Sequence, residues 1–416
     1  MNQKQNIIIL GGGQAAAYAA KEIRSVDNVS NLTIISEENF LPYERPPLSK
    51  DCLLNKKTFD QVFFFPKDFY ENNNINFVDN KKIVDIDFDN NSIFSSSGDK
   101  FIYNKLLIAT GSVNRKLIVD KEFQDNEKDI LYLRDIKDSQ FIKDKLTYSE
   151  EILIIGGGFI GLEIASSASQ LGKKVFVVEM GKQLMGRAIP ENIATLVQEV
   201  HKKNGNEIYL EAQINQIKKR GETYEVFLRS NKKISADLII VGIGSLPNTE
   251  IFSNTSLKIN NGILTNEFCQ TSIPNVFAAG DVANFFHPFY NIHMRLESYK
   301  HAQNHGICAA KNIVGIKSSY TEIPWMWSDQ FNLNMQVTGI CNKYDMVIQR
   351  GANVEEGIIY FFIKNSMIMG ACGLGVERKI GRDIRLAGKI SEKKIKVTKE
   401  ILSDKNLKLN KVLSSS

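Results

Sequence analysis

Long hydrophobic runs are absent from this sequence: none approaches the roughly 18 apolar residues that a helix needs to span a bilayer. The first residues, Met1 to Gln5, also lack the apolar core of a secretory signal peptide. An apolar strand begins almost immediately after them. We therefore expect a cytoplasmic protein that does not bind a membrane.

Cysteine is scarce and irregularly spaced. The chain has five cysteines: Cys52, Cys269, Cys308, Cys341 and Cys372. No pair has the C-x-x-C spacing of a redox or zinc site, and an odd, scattered set argues against a disulfide framework. We expect buried free thiols and no metal site.

A large excess of charge is also missing, because 52 lysines and arginines face 47 acidic residues and leave a net charge of +5. This excess is too small to indicate a nucleic-acid partner. The charge is unevenly distributed, since Glu377 to Lys411 has 12 basic and 5 acidic residues, a net charge of +7, and the rest has −2. Two interpretations stay open: a surface that attracts an acidic protein, or an ordinary solvated lysine-rich face.

The stretch NIIILGGGQAAAYAA, Asn6 to Ala20, has the pattern of a strand, a glycine turn and a helix. Its apolar start predicts a strand that is buried on both faces of a parallel sheet. The spacing Gly11-x-Gly13-x-x-Ala16 is a variant of the dinucleotide-binding fingerprint. Glycines let the backbone approach a pyrophosphate, and the helix N-terminus offers N–H groups to it.

The same pattern occurs a second time, in ILIIGGGFIGLEIA from Ile152 to Ala165, with the spacing Gly156-x-Gly158-x-x-Gly161. After each turn comes another apolar strand that ends in an acid, first LTIISE and then VFVVE. Such an acid, about 20 residues on, is placed to accept hydrogen bonds from a ribose hydroxyl. Two complete fingerprints predict that the chain binds two dinucleotides. A length of 416 residues allows two or three domains.

Two further segments have side chains suited to a cofactor. Three prolines in FLPYERPPLSK, Phe40 to Lys50, exclude a regular helix and build a stiff loop that presents Arg45 and Lys50. Such a loop is either a rigid surface linker or a segment that lies beside an anionic cofactor. Its two cations would be of more use in the second case. Asp281 follows a glycine in VFAAGDVA, where it is placed to bind a cofactor hydroxyl. The composition of His293 to Ile313 predicts a helix.

Several motifs occur in order and with matching spacing: the two fingerprints, YERPPLSK, LLIATGS, VFAAGDVA, RLESYKHAQ and PWMWSDQ. Together they resemble the FAD-dependent NADH:ferredoxin reductases that serve cytochrome P450 monooxygenases and ring-hydroxylating dioxygenases. Putidaredoxin reductase and biphenyl dioxygenase ferredoxin reductase are the type members. The resemblance covers almost the whole chain. RPPLSK and WSDQ are fairly specific to this branch, whereas the glycine fingerprints mark only the superfamily.

The resemblance implies an α/β fold of the glutathione-reductase type with two Rossmann-like domains and a C-terminal α+β domain. The FAD-binding domain would comprise residues 1–111 and 247–317, the NAD-binding domain 112–246, and the C-terminal reductase domain 318–416. The segments KLLIATG and ADLIIVGIG close the two halves in the same way, as expected for a structural duplication.

The resemblance also implies a set of FAD contacts. The residues are Gly11, Gly13, Gln14 and Ala15 at the pyrophosphate, Glu37 at the adenosine ribose, Val84 at the adenine, Arg45 and Lys50 along the flavin, Ala109, Thr110 and Arg134 around the cofactor, Asp281 at the ribityl chain, and Tyr299 at the pyrimidine edge of the ring. Lys50 is expected near N5 and O4 of the flavin. Tyr299 departs from the family, which often has Trp or Val there, so the tuning of the flavin stays open.

A second implied set binds NADH. It comprises Gly157, Gly158, Phe159 and Ile160 at the pyrophosphate, Glu179 with Arg187 near the adenosine ribose, and Glu163, Gly244 and Glu297 along the nicotinamide. A carboxylate at position 179 repels a 2′-phosphate and favours NADH over NADPH, although Lys182 and Arg187 weaken that preference. Lys50, Glu163 and Trp327 are the residues expected at the reacting rings.

The implied chemistry needs no acid–base triad, because NADH delivers a hydride to the flavin and the cofactors supply that reaction. The protein must hold the two rings about 3–3.5 Å apart. Electrons then leave one at a time to a [2Fe–2S] ferredoxin, which we expect to be acidic. We expect a monomer or a weak homodimer.

Three alternatives remain. Disulfide reductases and peroxidases of this fold need a cysteine beside the flavin, but no C-x₄-C follows the first fingerprint and Phe40 to Tyr43 contains no cysteine. A monodehydroascorbate-reductase-like enzyme would share the proline-rich loop, but WSDQ favours the ferredoxin branch. A redox-sensing interaction protein like apoptosis-inducing factor would show slow flavin reduction and a long-lived NADH complex.

Overall fold

A computed structural model of the chain describes residues 4–118, 129–186, 188–376 and 379–414. The chain groups into two compact units. The first unit comprises Met1–Glu44, Asp60–Val113 and Ser245–Glu322. The second unit comprises Arg45–Phe59, Asn114–Gly244 and Ile323–Ser416. The finer division into three domains stays a prediction.

The strands, in chain order, are β1 Asn6–Leu10, β2 Asn31–Ile35, β3 Ile75–Val78, β4 Ile83–Asp87, β5 Ser92–Ser95, β6 Lys100–Ile102, β7 Lys105–Ile108, β8 Ser112–Asn114, β9 Ile130–Tyr132, β10 Glu151–Ile155, β11 Lys174–Val178, β12 Glu207–Tyr209, β13 Ile214–Arg220, β14 Thr223–Leu228, β15 Lys233–Ala236, β16 Leu238–Val241, β17 Ser245–Pro247, β18 Ile263–Thr265, β19 Val276–Ala278, β20 Ala283–His287, β21 Ile292–Met294, β22 Trp325–Gln330, β23 Leu333–Gly339, β24 Met346–Arg350, β25 Ile358–Lys364 and β26 Met367–Val376. The α-helices are α1 Gln14–Val26, α2 Lys67–Asn72, α3 Ile136–Tyr148, α4 Phe159–Gln170, α5 Glu191–Lys203, α6 Tyr299–Ile313, α7 Gly381–Glu392, α8 Lys399–Ser403 and α9 Asn410–Ser414.

The first unit is built on a parallel sheet with the strand order β19-β7-β1-β2-β3. Its central strand is the apolar run of the first fingerprint, and Ile7 to Leu10 are buried on both faces as predicted. Helices α1 and α6 pack so closely on one face of this sheet that a Cβ atom added at Gly306 would lie only 2.4 Å from the carbonyl oxygen of Ala15. This contact packs the first turn of α1, which follows the first glycine turn, against α6.

The first unit has two further sheets, with the strand orders β4-β5-β6 and β18-β20-β21, and both contain antiparallel strand pairs. The predicted helix His293 to Ile313 is wrong at its start, because helix α6 begins only at Tyr299. Asn291 has a φ of 52° and turns the chain so that β21 pairs with β20. Ser298 then caps the helix by accepting a hydrogen bond from the backbone N–H of His301 at 3.4 Å.

The second unit contains another parallel sheet, with the order β12-β11-β10-β16-β9. The strand of the second fingerprint lies at its centre, and helix α4 follows directly. An antiparallel sheet β13-β14-β15 packs on this domain and contributes to the same core. The repeated arrangement of strand, glycine turn and helix confirms the predicted α/β fold with two Rossmann-like halves.

The second unit also contains the C-terminal antiparallel sheet, with the order β22-β23-β26-β25-β24. Helix α7 packs on this sheet, and α8 and α9 share its core. The guanidinium of Arg350, which is 5% exposed, donates to the carbonyl oxygens of Leu402, Asp404 and Leu407 and pairs with Asp383 at 2.9 Å. This single cation therefore joins strand β24 to the chain around α8. The α+β character of this part is confirmed.

Candidate functional site

The first glycine turn, in the first unit, provides an open backbone corner. Gly11 has a φ of +118°, and a Cβ there would lie 2.2 Å from the carbonyl oxygen of Ala109, so only glycine fits. A Cβ at Gly13 would meet no heavy atom within 4 Å, so this side of the turn is open. Helix α1 begins with no side-chain cap and no acid in its first turn. The corner can therefore accept an anion at the helix N-terminus.

Three predicted FAD residues lie around this corner and are held by contacts inside the first unit. The side-chain amide of Gln14 donates to the carbonyl oxygen of Tyr299 at 2.9 Å. The phenol of Tyr299 donates to Glu44 at 2.9 Å, and burial together with that carboxylate raises the pKa of Tyr299. Tyr299 is therefore a neutral hydrogen-bond donor at neutral pH. Ala15 is buried against α6.

Thr110 and Asp281 lie at the ends of the neighbouring strands β7 and β19. The Thr110 hydroxyl donates to the carbonyl oxygen of Asn248 at 2.8 Å. Asp281 accepts a hydrogen bond from the Ser112 hydroxyl at 3.1 Å. Parallel strands β1, β7 and β19 thus bring the first fingerprint, Ala109, Thr110 and the VFAAGDVA segment to the same edge of one sheet.

Glu37 and Val84 lie on the exposed side of the first unit. The Glu37 side chain is 65% exposed and lies 3.7 Å from the ammonium of Lys82. Val84 is 47% exposed on strand β4. Both positions are accessible to an adenosine, but the contacts assigned to them stay predictions.

Glu297 pairs with Arg295 and accepts a hydrogen bond from the Ser245 hydroxyl at 2.5 Å. The Arg295 guanidinium also donates a hydrogen bond to the carbonyl oxygen of Asp281 at 3.4 Å. The Glu297 carboxylate therefore has partners within the first unit. Its assignment to the nicotinamide path stays a prediction.

The second glycine turn, in the second unit, repeats the first. Gly156 has a φ of +107°, and a Cβ there would lie 2.4 Å from the carbonyl oxygen of Gly242. A Cβ at Gly161 would lie 2.2 Å from the carbonyl oxygen of Gly156, so α4 approaches the strand closely. Helix α4 also begins without a side-chain cap. Phe159 and Ile160 form its first turn, and Ile160 is 45% exposed.

Glu179 is held directly over this turn. One carboxylate oxygen accepts from the backbone N–H of Gly157 at 2.7 Å, and the other accepts from the N–H of Gly181 at 2.6 Å. The acid at the end of β11 is thus next to the turn, as the fingerprint predicts. Lys182 is exposed beside it, whereas Arg187 lies outside the described residues.

Lys50 and Glu163 form a partly buried ion pair in the second unit. The Lys50 ammonium lies 3.1 Å from Glu163, and the two side chains are 15% and 8% exposed. The Ser49 hydroxyl donates to the other carboxylate oxygen of Glu163 at 2.5 Å. Ser139 and Ser167 donate to the carbonyl oxygens of Leu48 and Ser49, each at 2.8 Å. The proline-rich loop and helix α4 therefore place this pair together.

A further set of polar residues, which sequence reasoning missed, reaches Glu163 from the C-terminal sheet. The Ser328 hydroxyl donates to Glu163 at 2.7 Å, and the amide of Gln330 donates to Ser328 at 3.1 Å. His201, on α5, bonds to the amide oxygen of Gln330 at 2.9 Å. Ser328 and Gln330 belong to the motif WSDQ, which marks the family branch but does not by itself give these two side chains a role.

Trp327 lies on the same strand, β22. Its indole N–H donates to Asp329 at 3.0 Å, and its ring stacks on Trp325 with centroids 5.2 Å apart. Trp327 is half-buried, and Trp325 packs against the C-terminal core. Strand β22 also carries Ser328, so Trp327 is the immediate neighbour of a Glu163 contact.

Arg45, Arg134 and Gly244 complete the predicted residues of the second unit. The guanidinium of Arg45 donates to the carbonyl oxygen of Arg134, so the structure brings these two together. Gly244 has a φ of +103°, and its carbonyl oxygen accepts from the N–H of Arg115 at 3.0 Å. Gly244 follows β16, the strand next to the second fingerprint strand.

None of the described cysteines forms a disulfide. Cys52, the one nearest Lys50 in sequence, is fully buried, and burial raises the pKa of its thiol. A protonated, inaccessible thiol is a poor nucleophile, which argues against peroxidase chemistry at Cys52. Within the described ranges, no helix is both long and apolar enough to cross a membrane.

Residues 5–306 match the family model of the pyridine nucleotide-disulphide oxidoreductases, and residues 325–413 match a reductase C-terminal model. A rubredoxin-NAD(+) reductase of Ectopseudomonas oleovorans is 34% identical over 82% of this chain and 88% of its own. The ferredoxin–NAD(+) reductase component of the anthranilate 1,2-dioxygenase system of Burkholderia cepacia is 31% identical over 91% and 93%. The crystal structure of the ferredoxin reductase for the CYP199A2 system from Rhodopseudomonas palustris is 30% identical, covers 98% and 99%, and has a TM-score of 0.92.

Two glycine corners at uncapped helix N-termini, each with an acid after the following strand, fit two dinucleotides, and the family match makes the chain an oxidoreductase that uses a flavin and a pyridine nucleotide. The chain belongs to the pyridine nucleotide-disulphide oxidoreductase family, and its cofactors are FAD and NAD(H). The resemblance inferred from the motifs is confirmed, including the match of the C-terminal domain.

Proposed function

We propose that this enzyme passes electrons from NADH through FAD to a [2Fe–2S] ferredoxin that serves a P450 monooxygenase or a ring-hydroxylating dioxygenase. The observation that supports it most is the Lys50–Glu163 pair, which joins the RPPLSK and WSDQ motifs. These motifs occur in a chain that is similar over nearly its full length to a ferredoxin reductase. When bound, FAD accepts a hydride from NADH and releases the two electrons singly.

The chain's own residues bind and orient the cofactors. In this proposal the backbone around Gly11 and Gly13 binds the FAD pyrophosphate, Asp281 binds the ribityl chain, and the neutral Tyr299 phenol lies at the pyrimidine edge. The other predicted FAD contacts keep the roles that the resemblance implies. Because FAD carries two phosphate charges, the uncapped start of helix α1 stabilises it.

Lys50 supplies positive charge beside the flavin, and Glu163 holds that ammonium in place while facing the nicotinamide carboxamide. A preorganised cation can stabilise the negative charge that arrives with the hydride. Trp327 excludes water from the reacting rings. Because the pair is partly buried, these interactions are stronger than they would be at the surface.

Glu179 selects NADH in this proposal. Its carboxylate accepts hydrogen bonds from the backbone N–H groups of Gly157 and Gly181, at the place where the adenosine ribose is expected. A 2′-phosphate would meet that negative charge, so NADPH should be the poorer donor.

The test is steady-state oxidation of NADH by the purified yellow holoenzyme, with and without a [2Fe–2S] ferredoxin, followed by reduction of cytochrome c. We expect strong turnover that depends on ferredoxin and is much weaker with NADPH. Parallel reactions contain rubredoxin, hydrogen peroxide, a disulfide or a quinone-like radical instead.

Turnover that ignores ferredoxin but responds to one of the small acceptors would refute the proposal and favour the monodehydroascorbate-reductase-like alternative or a peroxidase. Turnover with rubredoxin alone would show that the electron acceptor is a single-iron protein and not a [2Fe–2S] ferredoxin. Slow flavin reduction with a long-lived NADH complex would favour the redox-sensing alternative. The expected cytoplasmic location and the expected oligomeric state stay predictions.

A further inference from the structure

A continuous row of buried hydrogen bonds runs through the second unit and ends at Glu163. The row consists of Asn206, His201, Gln330, Ser328 and Glu163, at donor–acceptor distances of 2.9, 2.9, 3.1 and 2.7 Å. All five side chains are buried, between 0% and 6% exposed. They come from α5, the turn after it, β22 and α4. The row thus connects the C-terminal sheet to the ion pair that the proposed function places at the reacting rings.

The direction of every bond in the row is set by its last member. A carboxylate only accepts, so the Ser328 hydroxyl donates its proton to Glu163, and its oxygen must accept from the Gln330 NH₂ group. The amide oxygen of Gln330 then faces His201 and requires a donor at Nε2. The Nδ1 atom of a neutral imidazole with its proton on Nε2 is an acceptor, and Asn206 donates to it.

The neutral state of His201 is consistent with this direction. Burial lowers the pKa of His201 to about 4, so the ring carries one proton at neutral pH. If the Gln330 amide turned over, its oxygen would compete with Glu163 for the Ser328 proton. The imidazole therefore holds the amide in the one orientation that leaves the serine proton to Glu163.

We propose that Gln330 and His201 are positioning residues for hydride transfer: they orient the Ser328 hydroxyl toward Glu163 and thereby hold Glu163 against Lys50 and the nicotinamide carboxamide. This inference rests on the proposed function, because the place of Glu163 at the nicotinamide belongs to that proposal. A purely structural role, in which the row only fastens β22 to α4 and α5, makes a different prediction in a double-mutant cycle.

The cycle compares the holoenzyme with Gln330→Met, Ser328→Ala and the double variant. Two quantities are measured: the rate constant for flavin reduction by NADH in anaerobic single turnovers, and the affinity for NAD⁺ by calorimetry. Ser328→Ala removes a hydrogen bond to a charged group, and Gln330→Met leaves that hydroxyl without its fixed orientation, so we expect each single variant to lower both by about tenfold. Because Gln330 acts through the Ser328 hydroxyl, the double variant should lose no more than Ser328→Ala alone.

Two further variants keep the test independent of folding. Gln330→Glu is nearly isosteric, keeps an acceptor for His201, and draws the Ser328 proton away from Glu163, so it should lose at least as much as Gln330→Met. His201→Phe keeps a ring against Phe331 and should lose about threefold, again only while Ser328 is present. Gln349→Met, on the exposed far edge of the same sheet, is the matched control and should match the wild type in both measurements.

Gln330→Glu and Gln330→Met variants that equal the wild type in both measurements would overturn the inference. So would single losses that multiply to about a hundredfold in the double variant, since independent structural effects add in free energy. Neither measurement contains ferredoxin. A wild type that NADH reduces normally but that fails to reduce ferredoxin would therefore refute the proposed function alone, and the cycle would still decide the role of Gln330.

Discussion

The Glu179 carboxylate accepts two backbone hydrogen bonds, from Gly157 and Gly181, while lying where a ribose is expected. Its negative charge therefore lies next to the second glycine turn. We expect a charge in that place to favour a ribose hydroxyl over a 2′-phosphate, because like charges at close range repel.

We predict that Glu179→Gln improves the use of NADPH relative to NADH by about tenfold, since it removes one negative charge and keeps the shape of the side chain. The measurement is the ratio of kcat/KM for the two nucleotides with a saturating ferredoxin. Glu222→Gln, on the exposed turn before β14, has the same charge change and should leave the ratio unchanged. An unchanged ratio in Glu179→Gln would remove this residue from nucleotide selection.

Buried histidines make the protein sensitive to acid. Burial, with a smaller effect of His287, lowers the pKa of His301 to about 3, and burial lowers the pKa of His305 and of His287. In the unfolded chain these rings take up a proton near pH 6.5. Their contribution to stability is therefore complete above about pH 6.5 and is lost as the pH falls toward the values of the folded state.

We predict that the free energy of unfolding of the holoenzyme falls steadily between pH 6.5 and 4. His301→Gln should lower the slope of that fall by up to about 1.4 kcal/mol per pH unit, because one fewer proton is taken up on unfolding. Guanidinium unfolding at several pH values measures the slope. The exposed His293→Gln serves as the comparison, and equal slopes in the two variants would contradict the assignment.

At the scale of single residues, the sequence predicted the two glycine turns and the acid at each strand end, and the resemblance placed Lys50 and Glu163 at the same reacting rings. It did not predict Ser49, Ser328, Gln330 or His201 around Glu163. Ser49 and Glu163 are 114 positions apart, and Ser328 and Glu163 are 165 apart. Contacts across such separations depend on how the elements pack, and a motif shows only that the residues occur.

Among the elements, strand β24 and the chain around helix α8 are held together by one buried cation. Arg350 donates to four carbonyl oxygens from Leu402 to Leu407 and pairs with Asp383 on α7. Short helices such as α8 and α9, each of five residues, are not stable by themselves. The order of α8 therefore depends on this anchor, and both helices depend on the core to which they contribute.

We predict that Arg350→Met lowers the free energy of unfolding by about 3 kcal/mol, because several buried acceptors and one carboxylate lose their donor. Chemical denaturation measures the loss, and limited proteolysis should show earlier cleavage after residue 398. Arg385→Met removes an exposed guanidinium from α7 and should change the stability by less than about 0.5 kcal/mol. Equal losses in the two variants would show that burial of Arg350 does not matter.

The accuracy of the predicted elements followed the strength of the local signal. Apolar runs that end in glycine gave β1, β7, β10 and β16, because strand and turn residues agree there. The start of helix α6 was missed, since His293 to Glu297 has a helical composition but the turn at Asn291 pairs β21 with β20. Pairing with a neighbouring strand overrides weak helix propensity.

At the scale of the whole molecule, the charge lies unequally along the chain. Residues Glu377 to Lys411 have a net charge of +7, and the other residues together have −2. An acidic ferredoxin would be attracted to this basic segment, and salt would weaken the attraction.

We predict that Lys393→Glu/Lys394→Glu raises the KM for an acidic ferredoxin several-fold and flattens its dependence on salt concentration. Both lysines are exposed at the end of α7. Lys202→Glu/Lys203→Glu changes an adjacent exposed pair outside the basic segment and should have little effect. The rate of flavin reduction by NADH should stay the same in all variants, and equal KM values in both double variants would exclude the basic segment as the docking face.

The grouping of the whole chain was harder to predict than its elements. Arg45–Phe59 belongs to the second unit, although its neighbours along the chain on both sides belong to the first. Sequence reasoning placed this loop with the first fingerprint, because local patterns show only chain order. Its hydrogen bonds to Ser139, Glu163 and Ser167 decide the grouping.

The Arg350 anchor also has a consequence for protein synthesis. Its carbonyl partners at Leu402, Asp404 and Leu407 leave the ribosome about fifty residues after the arginine itself. Until then the guanidinium can pair with Asp383 but lacks these carbonyl acceptors, and a buried charge with most of its partners missing opposes folding. The C-terminal sheet should therefore reach its final packing only after residue 407 has been translated. If translation stops shortly before that codon, the two glycine turns of the truncated chain can still form. Its last sheet would then be cleaved by proteases.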